Sequence, residues 1–296
     1  MIRRYRSFQE DGLKTLYSQS QVIETTTGNL EYASHGNNPA ILVSHGSFGG
    51  YDLGMSSLYF LQDTNLNFVV PSRFGYLRTS LPDNATPSLQ AQAYVELLDF
   101  LNIEKVCVVG LSAGGMSAIH FALNYPNRCW GLIMVSAVNI RPVKTPPIRF
   151  VVEHIFANEF LGWLLANYFP RLIAQSTRDD YSLIENDPLL KNIVINLAWP
   201  PFSTKRRAGM LNDLKQADNL PNYQFENIIS PMLIIHGTND PFVPYHTAKN
   251  LASSARNAKL LTLEKGGHLS FLIQQTQSKQ AILDFVNEYS AGDNYV

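Results

Sequence analysis

The sequence has 296 residues, 45% of them hydrophobic and 16% charged, a composition that excludes a disordered chain and provides for a substantial core. Its formal net charge of −1 gives no field to hold nucleic acid or an anionic membrane, so we expect a small molecule as the partner. Its two cysteines make neither a disulfide framework nor a metal-binding spacing, which favours a reducing, cytoplasmic compartment.

Neither the N-terminus nor the longest apolar region has the pattern of an export signal or a membrane span. The basic residues at 3–6 are not followed by the apolar stretch of a secretory signal. Residues 148–169 are interrupted by charged and polar side chains, whereas a membrane span needs about 20 predominantly apolar residues. We therefore expect a soluble monomer or homodimer with no membrane span.

The apolar pattern predicts an initial hairpin, followed by strands that alternate with helices. The hairpin is expected over 22–34, where two short runs flank the turn signal Gly28-Asn29. Strands are expected at 40–44, 68–71, 106–109, 129–135, 231–235 and 259–263, and helices near 88–101, 116–123, 247–255 and 275–289. This alternation predicts an α/β fold: a mostly parallel central sheet of about eight strands, with an antiparallel first hairpin, flanked by helices.

Residues 139–222 interrupt the alternation. They contain several prolines with helical stretches between them, and many aromatic side chains. The segment is too long for a connection and too aromatic for a linker, so a helical cap laid over the sheet fits best. We therefore predict a core made of 1–138 and 223–296, with a cap at 139–222 inserted after the sixth strand.

The first candidate site is a serine between two glycines. An apolar, β-branched run ends at Gly110, Ser112 follows, and small residues lead into a predicted helix, so G-x-S-x-G lies at a strand–turn–helix junction. A nucleophile at such an elbow has a strained backbone, and Gly110 and Gly114 let strand and helix pass close by. The alternative is an ordinary glycine-rich turn, because the bare motif also occurs by chance. The pattern favours Ser112 as a nucleophile.

Two further candidates follow later strands. Asp240 ends the strand after the insert, and His268 lies in the loop after the last strand. The carboxyl ends of parallel strands meet at the edge of the sheet where ligands bind, so both are expected near Ser112. Asp240 could instead be a turn residue, because Asn-Asp-Pro favours turns. Other acids and histidines are less well placed, because they belong to the insert, to strand-end turns or to helices: Asp179, Asp180, Asp218, His45, His120, His154, His236 and His246.

Four motifs in this order resemble the α/β-hydrolase superfamily, in the branch with a cap between the sixth and seventh strands. They are HGSFGG at 45–50, GLSAGG at 110–115, HGTNDPFVP at 236–244 and GGH at 266–268. The chain order of nucleophile, acid and histidine is that of the family. The resemblance covers most of the chain outside the insert. It includes residues 73–76, Arg-Phe-Gly-Tyr, which we interpret as scaffold.

The resemblance implies a Ser-His-Asp catalytic triad with an oxyanion hole. The histidine would take the proton of the serine hydroxyl and return it to the leaving group, and the aspartate would orient the imidazole. The backbone N–H groups of Ala113 and Ser47 would bind the oxyanion, with Phe48 as the alternative to Ser47. No cofactor and no metal is implied. Candidates for the apolar lining between insert and elbow are Phe48, Phe150, Phe156, Trp163, Phe242 and Leu269.

These expectations converge on a serine hydrolase that cleaves a small, fairly apolar carboxylic ester through an acyl-enzyme. A hydrolase of carbon–carbon bonds in ring-cleavage products would use the same triad, but such relatives often have tryptophan where this chain has Leu269. A peptidase resembling proline iminopeptidases would share the HGSFGG motif, yet these usually have glycine and proline in place of Ser47 and Phe48. A lactonase and a ligand-binding receptor related to hydrolases also stay open.

Overall fold

The computed structural model describes residues 2–37, 39–141 and 158–290, and within these ranges eight strands form one sheet. The strands are β1 (Gln21–Thr25), β2 (Gly28–His35), β3 (Ala40–Ser44), β4 (Asn67–Pro71), β5 (Val106–Leu111), β6 (Cys129–Val135), β7 (Met232–Gly237) and β8 (Ala258–Leu263). Their order across the sheet is β1-β2-β4-β3-β5-β6-β7-β8. β2 is antiparallel to β1 and to β4, and the other neighbouring pairs are parallel. The predicted α/β fold, with its mostly parallel sheet and antiparallel first hairpin, is confirmed.

The first hairpin turns earlier than predicted. Thr25 pairs with Gly28, so the loop consists of Thr26 and Thr27 rather than Gly28 and Asn29. Gly28 follows the loop with a φ of +99°, which glycine adopts without steric cost. Glycine is therefore favoured at position 28, where the chain leaves the loop and enters β2. The predicted position of the turn was wrong.

Helices cover both faces of the sheet. They are α1 (Ile2–Ser18), α2 (Tyr51–Ser57), α3 (Pro87–Phe100), α4 (Gly115–Asn124), α5 (Glu159–Tyr168), α6 (Pro170–Ser176), α7 (Pro188–Ala198), α8 (Arg207–Asp218), α9 (Tyr245–Ser254), α10 (Ser270–Ile273) and α11 (Gln275–Tyr289). In β3, Ile41 and Val43 join an apolar cluster with α2 and α11. Ala40 and Leu42 join a second cluster with α3, α4 and α9. Because side chains alternate along a strand, these continuous apolar runs belong to a sheet buried on both faces.

The N-terminal helix α1 was not among the predicted elements. Its residue Leu16 is buried in the same cluster as Ile41 and Val43. Its aromatic side chains face the insert: the ring centroids of Tyr5 and Trp163 lie 5.5 Å apart, and Phe8 stacks on Phe202 at 5.1 Å. The aromatic side chains of α1 therefore pack against side chains of the insert.

Four helices, α5 to α8, are described within the insert between β6 and β7. The insert packs directly onto the core, because Ile184, Leu190 and Val194 belong to the same apolar cluster as the strand residues of one sheet face. These helices agree with the predicted helical character, whereas the domain boundaries at 139 and 222 stay a prediction. In the ranges that the structure describes, no helix combines the length and the apolar character needed to cross a bilayer.

Candidate active site

Ser112 lies at the tip of β5, where the chain turns into α4. Its φ of +47° is unusual for a residue with a side chain, as expected for a strained elbow. A Cβ on Gly110 would meet the Cα of Gly115 at 2.8 Å, so this glycine does let strand and helix pass close by. A Cβ on Gly114 would instead lie 2.0 Å from the carbonyl oxygen of Ser44 at the end of β3. The two glycines therefore serve different neighbours, one the helix and the other the adjacent strand.

A chain of hydrogen bonds joins the three residues that the sequence singled out. The Nε2 of His268 lies 3.0 Å from the Oγ of Ser112, and its Nδ1 lies 2.8 Å from the Oδ2 of Asp240. An ionised carboxylate only accepts hydrogen bonds, so Nδ1–H donates to Asp240. This leaves Nε2 unprotonated and able to accept the hydroxyl hydrogen of Ser112. Three strand ends distant in sequence thus meet at one edge of the sheet.

Asp240 serves both the turn and the histidine. Its Oδ1 accepts hydrogen bonds from the backbone N–H groups of Phe242 at 2.8 Å and Val243 at 3.0 Å. Its Oδ2 lies 3.3 Å from the Nε2 of His236 in addition to its contact with His268. Burial opposes ionisation of Asp240, but His268, His236 and the Val243 amide outweigh burial and hold its pKa well below the usual range. Asp240 therefore fits both interpretations from the sequence, a turn residue and a partner of the histidine. Its Oδ1 stabilises the turn, and its Oδ2 hydrogen-bonds His268.

His268 lies in a largely enclosed setting. Its side chain is 12% exposed, and the ring of Phe242 packs edge-on against it at 5.1 Å between centroids. Burial opposes protonation of the imidazole, but the carboxylates of Asp240 and Asp179 favour it, and the net effect raises the pKa of His268 above its ordinary value. Two acids thus raise the pKa of this histidine against the opposing effect of burial.

Asp179 is an acid that the sequence placed in the insert and away from the site. It makes no hydrogen bond to the imidazole among the described contacts, but it lies directly beneath the loop that carries it. Its Oδ1 accepts from the backbone N–H of Gly267 at 2.9 Å, and its Oδ2 accepts from that of Leu269 at 2.8 Å. Burial raises the pKa of Asp179, although these hydrogen bonds oppose the rise. No spacing in the sequence signals this contact, because it depends on how the insert docks.

The loop after β3 passes next to the serine. A Cβ on Gly46 would lie 3.1 Å from the Cβ of Ser112. The hydroxyl of Ser47 donates to the Oδ2 of Asp213 at 2.9 Å. Phe48 has a φ of +65°. The predicted oxyanion loop is therefore adjacent to the elbow and is fixed from outside by polar side chains.

Arg73, interpreted as scaffold, ties this loop to α8. Its guanidinium donates two hydrogen bonds of 2.6 Å to Asp213 and one of 2.7 Å to the carbonyl of His45. Its backbone N–H donates to the Nε2 of His45 at 2.9 Å. Burial and the nearby Arg73 hold the pKa of His45 well below its ordinary value, so this imidazole is neutral. Asp213 also accepts from Tyr76 at 2.6 Å, and it is a residue that sequence reasoning missed.

The candidate lining residues divide into groups. Phe242 is exposed, and its ring contacts that of His268. Leu269, which follows His268 in the chain, is buried. Phe48 packs beside Met210 of the insert. Trp163 lies on α5 of the insert, and its ring packs against Tyr5 and Phe8 of α1. Phe150 and Phe156 lie outside the described residues. An apolar group beside the elbow, which the sequence did not single out, consists of Ala113, Met116 and Leu220, with Val138, Ala217 and Tyr223 against it.

The family model for the alpha/beta hydrolase fold matches residues 39–274. The chain therefore belongs to the α/β-hydrolase fold family. It is 31% identical over 277 residues to the uncharacterized hydrolase YcgS of Bacillus subtilis (strain 168), covering 88% of this chain and 96% of that protein. The family and this relative support a hydrolase.

Two further similarities are more distant or structural. The chain is 26% identical over 220 residues to a 2-hydroxy-6-oxononadienedioate/2-hydroxy-6-oxononatrienedioate hydrolase of Paraburkholderia xenovorans (strain LB400), covering 69% of this chain and 70% of that one. An alpha/beta hydrolase fold protein from Nakamurella multipartita has a similar structure, with a TM-score of 0.79 and 26% identity. That match covers 93% of this chain and 100% of the other.

Proposed function

We propose that the protein is a serine hydrolase that cleaves a small, fairly apolar carboxylic ester through an acyl-enzyme. The observation that carries the proposal is the hydrogen-bonded chain from Ser112 through His268 to Asp240, with the serine on a strained elbow. This is the geometry in which a histidine activates a serine hydroxyl, and a buried acid holds the imidazole in the right tautomer.

The reaction would proceed in two halves. The Oγ of Ser112 attacks the ester carbonyl carbon while the Nε2 of His268 takes the hydroxyl proton. The tetrahedral intermediate collapses, the carbon–oxygen bond to the alcohol breaks, and His268 gives the proton to the departing oxygen. Water then attacks the acyl-enzyme with His268 again as base, which releases the carboxylic acid and restores the serine.

For the oxyanion we infer the backbone N–H groups of Ala113 and Ser47. Ala113 directly follows the nucleophile, and the loop carrying Ser47 lies against it. Phe48 stays the alternative to Ser47 as the second donor. The loss of one such donor typically costs roughly 3 kcal/mol of transition-state stabilisation.

The insert, residues 139–222, would act as a cap over this edge of the sheet. Its polar contacts to the histidine loop and to the loop after β3 support this role. The apolar groups around Phe242, Leu269 and Met116 favour an apolar acyl or alcohol group in the substrate.

A second candidate is hydrolysis of a carbon–carbon bond next to a ketone. The observation that favours it is the similarity to the Paraburkholderia protein, whose name specifies a 2-hydroxy-6-oxo dienedioate substrate. The same serine and histidine could serve there, so the site geometry alone is compatible with either reaction.

A matched substrate panel tests the proposal. It comprises p-nitrophenyl esters from acetyl to octanoyl, a simple lactone, a 2-hydroxy-6-oxo dienoate and proline arylamide, each assayed for kcat/KM. We expect the highest value for a short or medium acyl ester. A higher value for the dienoate, the lactone or the arylamide would overturn the ester assignment in favour of that reaction. Tight binding without turnover of any substrate would indicate a receptor.

A further inference from the structure

A short segment of the insert, residues 177–179, holds the loop that carries His268. The backbone N–H of His268 donates to the carbonyl of Thr177 at 2.9 Å. The N–H groups on either side, those of Gly267 and Leu269, donate to the two carboxylate oxygens of Asp179 at 2.9 and 2.8 Å. Three consecutive backbone donors of the histidine loop are therefore bound by one segment of the insert.

The contact is so close that it leaves no room for a side chain at position 267. A Cβ on Gly267 would lie 2.1 Å from the carbonyl oxygen of Thr177 and 2.6 Å from the carbonyl carbon of Arg178. Arg178 itself has a φ of +57°, which turns the segment so that Asp179 points back toward the loop. A backbone conformation of this kind is unfavourable for a residue with a side chain and persists only where its surroundings enforce it.

The two adjacent acids of the insert differ sharply in their surroundings. Asp179 is 7% exposed and uses both oxygens on the histidine loop. Asp180 is exposed and bonds the hydroxyl and the backbone N–H of Ser182. A buried carboxylate is costly unless its hydrogen bonds compensate, so the position of Asp179 points to a specific use of its charge.

We propose that Asp179 is a positioning residue for His268: by binding the N–H groups on both sides of the histidine, it fixes the imidazole between Ser112 and Asp240. The inference rests on the proposed function, because it gives this contact a part in the same reaction. It makes the insert a component of the catalytic geometry as well as a cover for the substrate.

The charges around the imidazole determine what removal of Asp179 does. Asp240 faces the ring from the turn after β7, and Asp179 faces the loop from the insert. Ser112 and the Phe242 ring, which face it from the elbow and the turn, carry no charge. Without the negative charge of Asp179, His268 should lose its proton at a lower pH, and its ring should be held less firmly.

Asp179→Asn tests the proposal, with Asp180→Asn as the matched control. Asparagine has the same shape and keeps one acceptor, so the variant is expected to fold. We expect its kcat on the best ester to fall roughly 10-fold to 100-fold with KM little changed, because a small misplacement of a catalytic group is costly. The acid limb of its kcat/KM profile should shift to lower pH. The Asp180→Asn variant should match the wild type in kcat, in KM and in the pH of its acid limb.

A second variant, Asp179→Glu, separates charge from position. It keeps the negative charge but moves the carboxylate by one methylene, so kcat should fall while the acid limb stays near that of the wild type. Wild-type kcat together with a wild-type acid limb in folded Asp179→Asn would overturn the proposal, as would equal losses in Asp180→Asn.

A titration of His268 by NMR distinguishes a failure of this proposal from a failure of the proposed function. It needs no substrate, so it reports the influence of Asp179 on His268 even if every ester fails. A wild type that turns over no ester would overturn the ester hydrolase, whereas an active wild type with an unaltered Asp179→Asn titration and kcat would overturn only the role of Asp179.

Discussion

Among single residues, Asp240 contributes through one carboxylate both to the stability of the fold and to the proposed triad. Its Oδ1 closes the turn that ends at Val243, and its Oδ2 orients His268. Since its folded-state pKa is depressed, Asp240 stabilises the fold above its unfolded pKa of about 3.9, and this contribution is lost as the pH falls toward the folded value. His268 behaves in the opposite sense, because its raised pKa stabilises the fold at low pH, and that contribution is lost as the pH rises through the folded value.

The raised pKa of His268 predicts the acid limb of the pH profile of the proposed ester hydrolysis. The imidazole must be neutral to accept the proton of Ser112, so kcat/KM should rise with pH as His268 loses its proton. The midpoint should lie above the ordinary histidine value of about 6.5. A pH profile of kcat/KM on the best ester measures this, and a midpoint below 6.5 would show that Asp240 and Asp179 do not raise the pKa of His268.

At the scale of elements, the buried pair of Arg73 and Asp213 connects α8 of the insert with the loop after β3. The side chains of both residues are almost fully buried, and the pair is bidentate. Asp213 also accepts from Ser47 within the predicted oxyanion loop. A buried guanidinium without its partner is strongly destabilising. The loss of Asp213 from the insert should therefore also destabilise the loop after β3.

Asp213→Asn should therefore destabilise the protein by about 3–5 kcal/mol, because it leaves the charge of Arg73 buried without its counter-ion. Equilibrium unfolding in urea measures the change. The exposed Asp83→Asn is the control and should alter the free energy of unfolding by less than about 0.5 kcal/mol. A change that small in Asp213→Asn would show that the pair contributes little.

The sequence predicted the elements whose pattern is local. Apolar runs identified β3, β5 and β6, and the strand–turn–helix rhythm placed Ser112 at the elbow. The same rhythm brought Asp240 and His268 to one edge, because parallel strands share their carboxyl ends. The contacts of Asp179 and Asp213 could not be predicted in this way, since both depend on how an irregular insert docks on the core.

At the scale of the whole molecule, the N-terminal helix, the insert and the sheet form a continuous packing unit in the described residues. Ile184 and Val194 of the insert share an apolar cluster with the strands, and Phe8 of α1 stacks on Phe202. The helix α1 has a helical apolar period of its own, at Tyr5, Phe8, Leu13 and Leu16, so its sequence did contain a local signal that the sequence analysis missed. The packing that supports the site thus comes from parts of the chain on both sides of the elbow.

We propose Ser112 as the nucleophile of an ester hydrolase. The most direct test of this role is the turnover of p-nitrophenyl butyrate by Ser112→Ala, compared with the wild type at equal concentration. Loss of the nucleophile in a serine hydrolase typically costs on the order of 10⁶-fold in kcat, so we expect turnover to fall to near background. The free energy of unfolding should not decrease, because alanine fits the same space. A folded Ser112→Ala variant that retains wild-type turnover would show that Ser112 is not the nucleophile.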